Sequence, residues 1–237
     1  MIKRALDILG STAGLVLLSP VFAVTLFLVW RQDGRSPFYI ADRAARGGGR
    51  FRMVKIRSMI VSADKSGVES TSADDVRITP VGSFIRRWKI DELSQLWNVL
   101  RGEMSLVGPR PNTLREVETY SAEERRLLSI RPGITDLSSI VFSDEGDILK
   151  GSADPDRDYT VLIRPWKSKL GLVYVDNPGV LLDVQIIWLT VVAMHDKPRA
   201  LAGVASILQR LGYGDDLRAV AGRKVSLEAM APRGALG

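Results

Sequence analysis

The sequence is a 237-residue chain with 33 lysines and arginines against 27 acidic residues, a net charge of +6, no cysteine and one histidine. This length is enough for one sizeable hydrophobic core with some chain to spare. The lack of cysteine excludes disulfides, thiolate metal sites and thiol nucleophiles, and His195 alone cannot build a histidine metal cluster. Any chemistry must rest on Asp, Glu, Lys and Arg, and the basic excess favours an anionic partner.

The chain begins with a basic segment followed by a long apolar stretch. Lys3 and Arg4 precede a mainly apolar segment from Ala5 to Trp30 that is interrupted by Asp7. As a helix this segment would be roughly 39 Å long, enough to cross a hydrocarbon core of about 30 Å. A signal peptide is disfavoured because the apolar region is too long and no persuasive Ala-x-Ala site precedes the globular part.

A break falls in the middle of this stretch, at Ser19 and Pro20. Proline removes a backbone hydrogen bond and kinks a helix, and a serine hydroxyl can bond the carbonyl that is left free. Both flanks are basic, with Arg31 and Arg35 on the far side, so the positive-inside bias prefers both ends on the cytoplasmic side. Because proline is also tolerated in spanning helices, the residues alone leave a straight span and a bent, re-entrant hairpin as near-equal alternatives.

Three shorter segments follow, two of them polar. Gly34 to Arg50 is basic and glycine-rich, which is typical of a flexible turn and only weakly of a phosphate loop. Phe51 to Met59 predicts a short strand or the entry to a helix, and an extended backbone would place Lys55 and Arg57 on the same side. Ser62 to Asp75 predicts an exposed loop.

The most informative stretch begins where Val76 to Arg87 leads into a helix. Asp91 and Glu92 then open an amphipathic run, whose apolar residues at i, i+3, i+4 and i+7 predict one helix face: Leu93, Leu96, Trp97 and Leu100. At a helix start the exposed amides favour negative charge, which would keep Asp91 mostly ionised near neutral pH. In an arbitrary sequence such a pair is most simply a helix cap.

The basic surroundings of this acid pair favour chemistry over capping. Arg86 precedes the pair, and Arg110 projects from a Gly-Pro-Arg-Pro turn that constrains the backbone. Carboxylates interleaved with fixed guanidiniums suit phosphoryl chemistry, in which the acids attack or hold Mg²⁺ and the arginines neutralise phosphate oxygens.

The C-terminal half carries weaker signals. Thr113 to Ile130 predicts a charged helix and Ser143 to Tyr159 an acidic surface loop. Val180 to Met194 is apolar but too short to span a membrane, so it predicts a core helix or one at the membrane interface. Ala200 to Leu211 predicts an amphipathic helix, followed by a loose tail.

Taken together, the ordered motifs resemble the signature of the bacterial sugar transferases, in particular the small monotopic polyprenyl-phosphate sugar-1-phosphate transferases. The similarity runs from about Lys3 to Met194. The motifs that carry it are Lys3-Arg-x-Leu-Asp7, Ser19-Pro20, Lys55-Ile-Arg-Ser-Met59, Asp75-x-Arg-Ile-Thr79, Asp91-Glu-Leu-x-Gln-Leu-Trp-Asn-Val-Leu100, Met104-Ser-Leu-Val-Gly-Pro-Arg-Pro111 and Arg131-Pro-Gly-Ile-Thr135.

The resemblance implies a membrane-bound phosphoglycosyl transferase. Such an enzyme moves a sugar-1-phosphate from a nucleotide sugar, usually UDP-linked, to polyprenyl (undecaprenyl) phosphate and releases UMP. This is the first membrane step of capsule, O-antigen, exopolysaccharide or glycoprotein assembly. The implied location is the cytoplasmic face of the bacterial inner membrane, with the lipid bilayer as a partner and downstream glycosyltransferases and a second copy as further candidates.

The resemblance also implies roles for individual residues. By similarity, Asp91 attacks the β-phosphate and forms a covalent sugar-phosphate intermediate, and Asp91 and Glu92 hold Mg²⁺. The candidate phosphate binders are Lys55, Arg57, Arg86, Arg110 and Arg131. A third acidic ligand, if one is needed, would come from Asp144, Glu145 or Asp176.

The implied fold is mainly α with little β. A re-entrant membrane helix and its junction would occupy residues 1–38. Of the straight span and the re-entrant hairpin, the resemblance therefore favours the hairpin. A compact cytosolic catalytic domain with interfacial amphipathic helices would occupy 39–196, and a C-terminal amphipathic helix and tail 197–237.

Two other functions fit parts of the sequence. A basic, membrane-associated binding or assembly protein would use the arginines on anionic lipid or nucleic acid, but it gains nothing from two acids among them. Nucleic acid is disfavoured further because no aromatic stacking platform is present. A catalytically dead homologue is disfavoured because Asp91, Glu92 and Arg110 are all intact.

Overall fold

A computed structural model describes residues 2–224, and in this range the chain is mainly helical with two small sheets. The predicted mainly α fold with little β is confirmed there. The helices are α1 (Ile2–Leu17), α2 (Ser19–Asp33), α3 (Pro80–Arg87), α4 (Gln95–Arg101), α5 (Leu114–Glu118), α6 (Leu137–Val141), α7 (Glu145–Ile148), α8 (Pro155–Asp158), α9 (Arg164–Asp176), α10 (Val180–Ala193), α11 (Lys197–Arg210) and α12 (Asp215–Ala221). The strands are β1 (Phe38–Ala44), β2 (Arg50–Ile56), β3 (Ser105–Val107) and β4 (Gly133–Thr135).

The described chain forms two compact units. The first unit contains residues 2–66 and 76–134, and the second contains residues 67–75 and 135–224. The acid pair and all five candidate phosphate binders lie in the first unit. This division differs from the functional boundaries predicted at residues 38 and 196, which stay a prediction.

The apolar N-terminal stretch is a bent pair of helices. α1 and α2 meet at Leu18 with a bend of 63°, and no single described helix is long and apolar enough to cross a membrane; the bent pair qualifies by length and composition alone. The Ser19 hydroxyl donates to the Val16 carbonyl at 2.8 Å. That carbonyl lies four residues before Pro20, so it is the one that the missing proline N–H leaves without its helical partner.

Each helix of the pair has one face packed on the rest of the first unit and one apolar face exposed. Val29 of α2 is fully buried against Ile56, Ile85 and Ile90. The exposed side includes several large side chains, more than half accessible: Leu9, Val16, Leu17, Val24, Phe27 and Trp30. The pair therefore combines a specific protein contact with an unpartnered apolar surface.

The glycine-rich segment predicted as a flexible turn in fact forms half of a β-hairpin. β1 pairs antiparallel with β2, from Phe38 opposite Ile56 to Ala44 opposite Arg50. The glycines occupy the connection, where Gly47 and Gly48 have positive φ values that favour glycine. The strand alternative for Phe51 to Met59 is correct.

The face predicted for the central helix is only partly right. Leu96 is buried as expected, but Trp97 is 52% exposed, and Gln95 and Asn98 are buried instead. The reason is that the Asn98 side chain completes the edge of β2: its amide oxygen accepts from the Val54 N–H at 3.0 Å and its amide nitrogen donates to the Arg52 carbonyl at 2.8 Å.

Two further predictions of local structure are wrong. The single charged helix predicted over Thr113 to Ile130 is split into α5 and a 3₁₀ helix at Glu124–Ser129. The split occurs because Ser121 and Glu124 form a reciprocal capping box, with the Ser121 N–H donating to Glu124 at 2.9 Å and the Glu124 N–H to the Ser121 hydroxyl at 3.2 Å. The acidic loop predicted over Ser143 to Tyr159 contains α7 and α8.

The second unit packs helices around a core that includes Leu170 and Leu208, both fully buried. α10 confirms the predicted apolar helix, and it leaves Leu181 and Trp188 more than 60% exposed. α11 confirms the predicted amphipathic helix. The loose tail predicted after Leu211 is wrong for its first half, because α12 lies there with Leu217 and Val220 buried. Its second half, beyond Lys224, lies outside the described residues.

The backbone around Gly108 and Gly133 gives the first testable prediction. A Cβ on Gly133 would lie 2.1 Å from the Gly108 nitrogen, whereas a Cβ on Gly49 would meet nothing nearer than 4.0 Å. We expect Gly133→Ala to destabilise the protein by about 3 kcal/mol, since the backbones must separate, and Gly49→Ala to be nearly neutral. Urea unfolding in detergent micelles measures the stability of both variants. Equal unfolding midpoints would contradict the close approach of the Gly108 and Gly133 backbones.

Candidate active site

The acid pair lies in a single turn of 3₁₀ helix, Ile90–Glu92, ahead of α4. The helix itself begins at Gln95, so the predicted location at the start of an α-helix is wrong by one turn. Lys89, directly before the turn, has a positive φ of 52°. This left-handed residue changes the direction of the chain between α3 and the turn of the acid pair. Within that turn Asp91 is only 7% exposed.

Glu92 joins two of the basic residues that the sequence singled out. Its Oε1 atom accepts from the Arg110 guanidinium, and the Lys55 Nζ lies 3.4 Å from the same oxygen. Lys55 Nζ is also 3.9 Å from the Asp91 carboxylate. Lys55 projects from β2 and Arg110 from the loop after β3, so two distant segments meet at the turn that carries the acids.

A tight crossing of two turns holds Arg110. The Ser105 N–H donates to the Pro132 carbonyl and the Gly133 N–H to the Pro109 carbonyl, both at 2.9 Å. The absence of side chains at Gly108 and Gly133 lets these backbones approach. The Gly-Pro-Arg-Pro turn is therefore fixed by its own prolines and by the neighbouring Arg-Pro-Gly turn.

Burial and neighbouring charges shift the pKa values of the two acids in opposite directions. Burial raises the pKa of Asp91 above the usual aspartate value of 3.8, and the attraction of Lys55 does not reverse that shift. Burial also acts to raise the pKa of Glu92, but the charges of Arg110, Lys55 and Lys89 outweigh it and lower that pKa well below its usual range. Burial lowers the pKa of Lys55 against the opposing effect of Glu92. The direction at Asp91 is opposite to the one that a helix start would impose.

The other candidate phosphate binders divide into two groups. Arg86 is half-buried at the end of α3, and its positive charge acts on both Asp91 and Lys55. Arg57 is buried and pairs with Asp33, at 2.6 and 2.8 Å, and with the Ser36 carbonyl. Arg131 donates to the Gly102 carbonyl at 2.9 Å. The structure thus gathers Lys55, Arg86 and Arg110 around the acids, and gives Arg57 and Arg131 contacts elsewhere in the same unit.

Asp91 and Glu92 also suit the donor set expected for Mg²⁺. Among residues 2–224 no group of three or more acidic or histidine side chains forms a ready metal site. Mg²⁺ is commonly bound through one or two carboxylates, with substrate phosphates and water completing the shell, so two adjacent acids fit this ion. The suggested third ligands have partners within the second unit: Asp144 pairs with Lys197 and Arg223, and Glu145 with Lys167. Asp176 ends α9 and is exposed.

Sequence reasoning missed three polar residues that shape this unit: Asp7, Asp33 and Asn98. Asp7 is buried and accepts hydrogen bonds from the segment that leads to Arg110. A signal was present, because a lone carboxylate inside an apolar helix must find partners when it is buried. Asp33 and Asn98 carried no comparable signal, since both types are ordinary near helix ends and on helix surfaces.

Comparison with known proteins assigns the chain to a family. Residues 1–197 match the family model described as bacterial sugar transferase, and the chain belongs to that family. It is 38% identical over 199 residues to the galactosyl transferase CpsE of Streptococcus agalactiae, covering 79% of this chain and 41% of that protein. It is 33% identical over 207 residues to the exopolysaccharide production protein ExoY of Sinorhizobium fredii, covering 81% of this chain and 84% of that protein.

A third relative carries a more explicit name. The chain is 32% identical over 193 residues to the UDP-N-acetylgalactosamine-undecaprenyl-phosphate N-acetylgalactosaminephosphotransferase of Aeromonas hydrophila, covering 80% of this chain and 43% of that protein. The chain therefore spans about two fifths of the length of CpsE and of the Aeromonas enzyme, and most of the length of ExoY.

Proposed function

We propose that this protein transfers a sugar-1-phosphate from a UDP-sugar to undecaprenyl phosphate and releases UMP. The observation that carries the proposal is the buried pair Asp91 and Glu92, surrounded by Lys55, Arg86 and Arg110, in a chain of the bacterial sugar transferase family. The donor and acceptor classes follow the name of the Aeromonas hydrophila relative. Polysaccharide assembly follows the name of ExoY.

In the proposed reaction the two acids have different roles. An Asp91 oxygen attacks the β-phosphorus of the donor, the bond from that phosphorus to the bridging oxygen breaks, and UMP leaves with the bond electrons. An oxygen of the lipid phosphate then attacks the same phosphorus and frees the aspartate. Asp91 suits attack because its carboxylate is bonded less tightly than that of Glu92, whose oxygen already accepts from Arg110 and Lys55.

The basic residues would balance the charge that moves in these steps. Arg110 and Arg86 would hold phosphate oxygens, and Lys55, next to both acids, would offset negative charge as UMP departs. Glu92 keeps Arg110 and Lys55 in place before the donor arrives. Bound Mg²⁺, held by Asp91 and Glu92, would supply further neutralisation of the phosphate oxygens.

We also propose that the bent helix pair is re-entrant. Support comes from its contacts at both ends: Arg4 and Asp7 of α1 bond the region of α4 and β3, and Asp33 of α2 bonds Arg57 after β2. Because these partners share one compact unit, a re-entrant arrangement keeps both ends on one side of the membrane without breaking these contacts. The basic residues at both ends favour the cytoplasmic face of the inner membrane, where a soluble nucleotide sugar is available. Downstream glycosyltransferases and a second copy of the chain stay further candidate partners.

The first test of function is UMP release. Purified protein in detergent with Mg²⁺ and undecaprenyl phosphate is assayed against a panel of UDP-sugars. We expect release with one donor, and a loss of about a thousandfold or more in Asp91→Asn, because the amide cannot act as the nucleophile. Asp42→Asn, an exposed acid on β1, serves as the matched control and should keep wild-type activity.

Isotope exchange separates a covalent from a direct mechanism in the same preparation. Labelled UMP should enter the UDP-sugar pool without lipid acceptor if Asp91 forms the intermediate. Lipid-dependent transfer without any such exchange would contradict the covalent step, and a silent panel with folded protein would favour a non-catalytic binding or assembly role.

The titration of the site predicts a bell-shaped pH profile. The first step needs ionised Asp91, so the rate should rise with pH through its raised pKa, and it should fall again where Lys55, whose pKa is lowered, loses its proton. Lys55→Met removes the cation nearest to Asp91, so the acid limb should move to higher pH and the basic limb should disappear. Lys65→Met, on an exposed turn, should move neither limb, and a downward shift in Lys55→Met would contradict the assignment.

The topology can be tested with single cysteines because the natural chain has none. Cysteines at Ile2, Leu17 and Arg35 replace exposed residues at the start, bend and far end of the helix pair. In membrane vesicles we expect a water-soluble maleimide to label positions 2 and 35 from the same side and to leave position 17 unmodified. Labelling of positions 2 and 35 from opposite sides would show a straight span.

A further inference from the structure

Helix α1 contacts the end of α4, the helix that follows the acid pair, and also β3, the strand that precedes the loop of Arg110. Arg4 donates to the Val99 and Leu100 carbonyls at the end of α4, at 2.6 and 2.9 Å, and Lys3 donates to the Val107 carbonyl at 3.1 Å. The cations thereby meet the carbonyls that a helix end or a strand end leaves available.

Asp7 occupies the centre of this contact. Its two carboxylate oxygens each accept from the Ser105 hydroxyl at 2.9 Å, and Oδ1 also accepts from the Leu106 N–H at 3.0 Å. Asp7 is 4% exposed and Ser105 is 1% exposed, so water does not compete for these bonds. A buried carboxylate with such bonds fixes its partners strongly, because losing one partner leaves charge without compensation.

Small residues let α1 approach the segment closely. A Cβ on Gly10 would lie 2.7 Å from Leu106 Cδ1, and one on Gly14 would lie 3.0 Å from Leu96 Cδ1. Leu96 lies on α4 and Leu106 on β3. The same face of α1 thus packs against both elements that join the acid pair to Arg110.

We propose that Asp7 is a positioning residue for Arg110, which makes the membrane helix part of the framework of the active site; the proposal rests on the proposed transferase function. The path is short: Asp7 holds Ser105 and Leu106, the strand continues through Val107, and Gly108 and Pro109 lead directly to Arg110. Arg110 reaches Glu92 across the site. A shift of β3 relative to α4 changes the distance between the acid pair and its guanidinium.

The positioning role differs from a general stabilising role in what it controls. A structural role would affect only how much protein is folded. A positioning role alters the turnover of folded protein, because a misplacement of about 1 Å at a catalytic group can reduce the rate about a hundredfold.

The test compares Asp7→Asn with Ser11→Ala in the full chain, reconstituted in nanodiscs. Asparagine keeps the size but has a single acceptor oxygen. Ser11 is a matched control because it is fully buried on the same helix, and its hydroxyl bonds only carbonyls of its own helix, those of Asp7 and Ile8. We expect Asp7→Asn to lower kcat for UMP release about tenfold to a hundredfold, with KM for the donor changed less than about threefold, and Ser11→Ala to stay near wild type.

Two further variants test whether Asp7 acts on Arg110 through Ser105 and Leu106. Ser105→Ala should lower kcat less than Asp7→Asn, since the Leu106 N–H still bonds Asp7, and the double variant should be no slower than Asp7→Asn alone. Additive losses, equal losses in Ser11→Ala, or an unchanged kcat in Asp7→Asn would overturn the proposal.

Hydrogen exchange separates this proposal from the proposed function. In Asp7→Asn the peptide covering Met104 to Arg110 should lose protection, and in Ser11→Ala it should not. If the wild-type protein releases no UMP from any donor, the transferase function fails, yet exchange still decides whether Asp7 holds the segment. Unchanged protection in Asp7→Asn would overturn the positioning role by itself.

Discussion

The ion cluster around Glu92 is the constraint on which the rest of the first unit depends. Removing a carboxylate from water is costly, and the cost is offset only when charged partners and hydrogen bonds are well placed. Here the partners come from β2 and from the loop after β3, while Glu92 comes from the turn before α4. These segments must therefore fold together before the charge can be buried, and the same requirement assembles the site.

The different surroundings of the two acids follow from this cluster. Glu92 takes the closer cation contacts, so its charge is strongly stabilised and its oxygen is occupied. Asp91 is buried with a more distant cation, so burial dominates and its pKa is raised. Two neighbouring carboxylates in different surroundings are a general route to two roles in one site. In the proposed reaction Asp91 is the nucleophile, and its weaker contacts leave fewer interactions to break when it attacks.

The sequence was sufficient for the parts of the site that local chemistry controls. The Gly-Pro-Arg-Pro turn, the acid pair and the break at Ser19 and Pro20 are each defined by residues that are close in the chain. What could not be predicted depends on distant partners. Nothing local indicates that Asn98 completes the edge of β2, or that the Arg57 guanidinium is taken by Asp33 while Lys55, two residues earlier, reaches the acids. The pKa of Asp91 was misjudged for the same reason, because tertiary burial outweighed the local backbone field.

The contacts of the N-terminal helices also determine how the acid pair would be oriented if the helix pair enters a membrane. A helix pair that served only as an anchor would need an apolar surface and a tether. α1 has a second, specific surface of Arg4, Asp7 and two closely packed glycines, and α2 ends in a bidentate pair with Arg57. Specific polar contacts at both ends fix how the two helices lie against the rest of the first unit. If the exposed faces of the pair enter the bilayer, the bilayer orients the acid pair directly, since the contacts from α1 run through β3 to Arg110. Such coupling suits a reaction in which one phosphate arrives from water and the other belongs to a lipid.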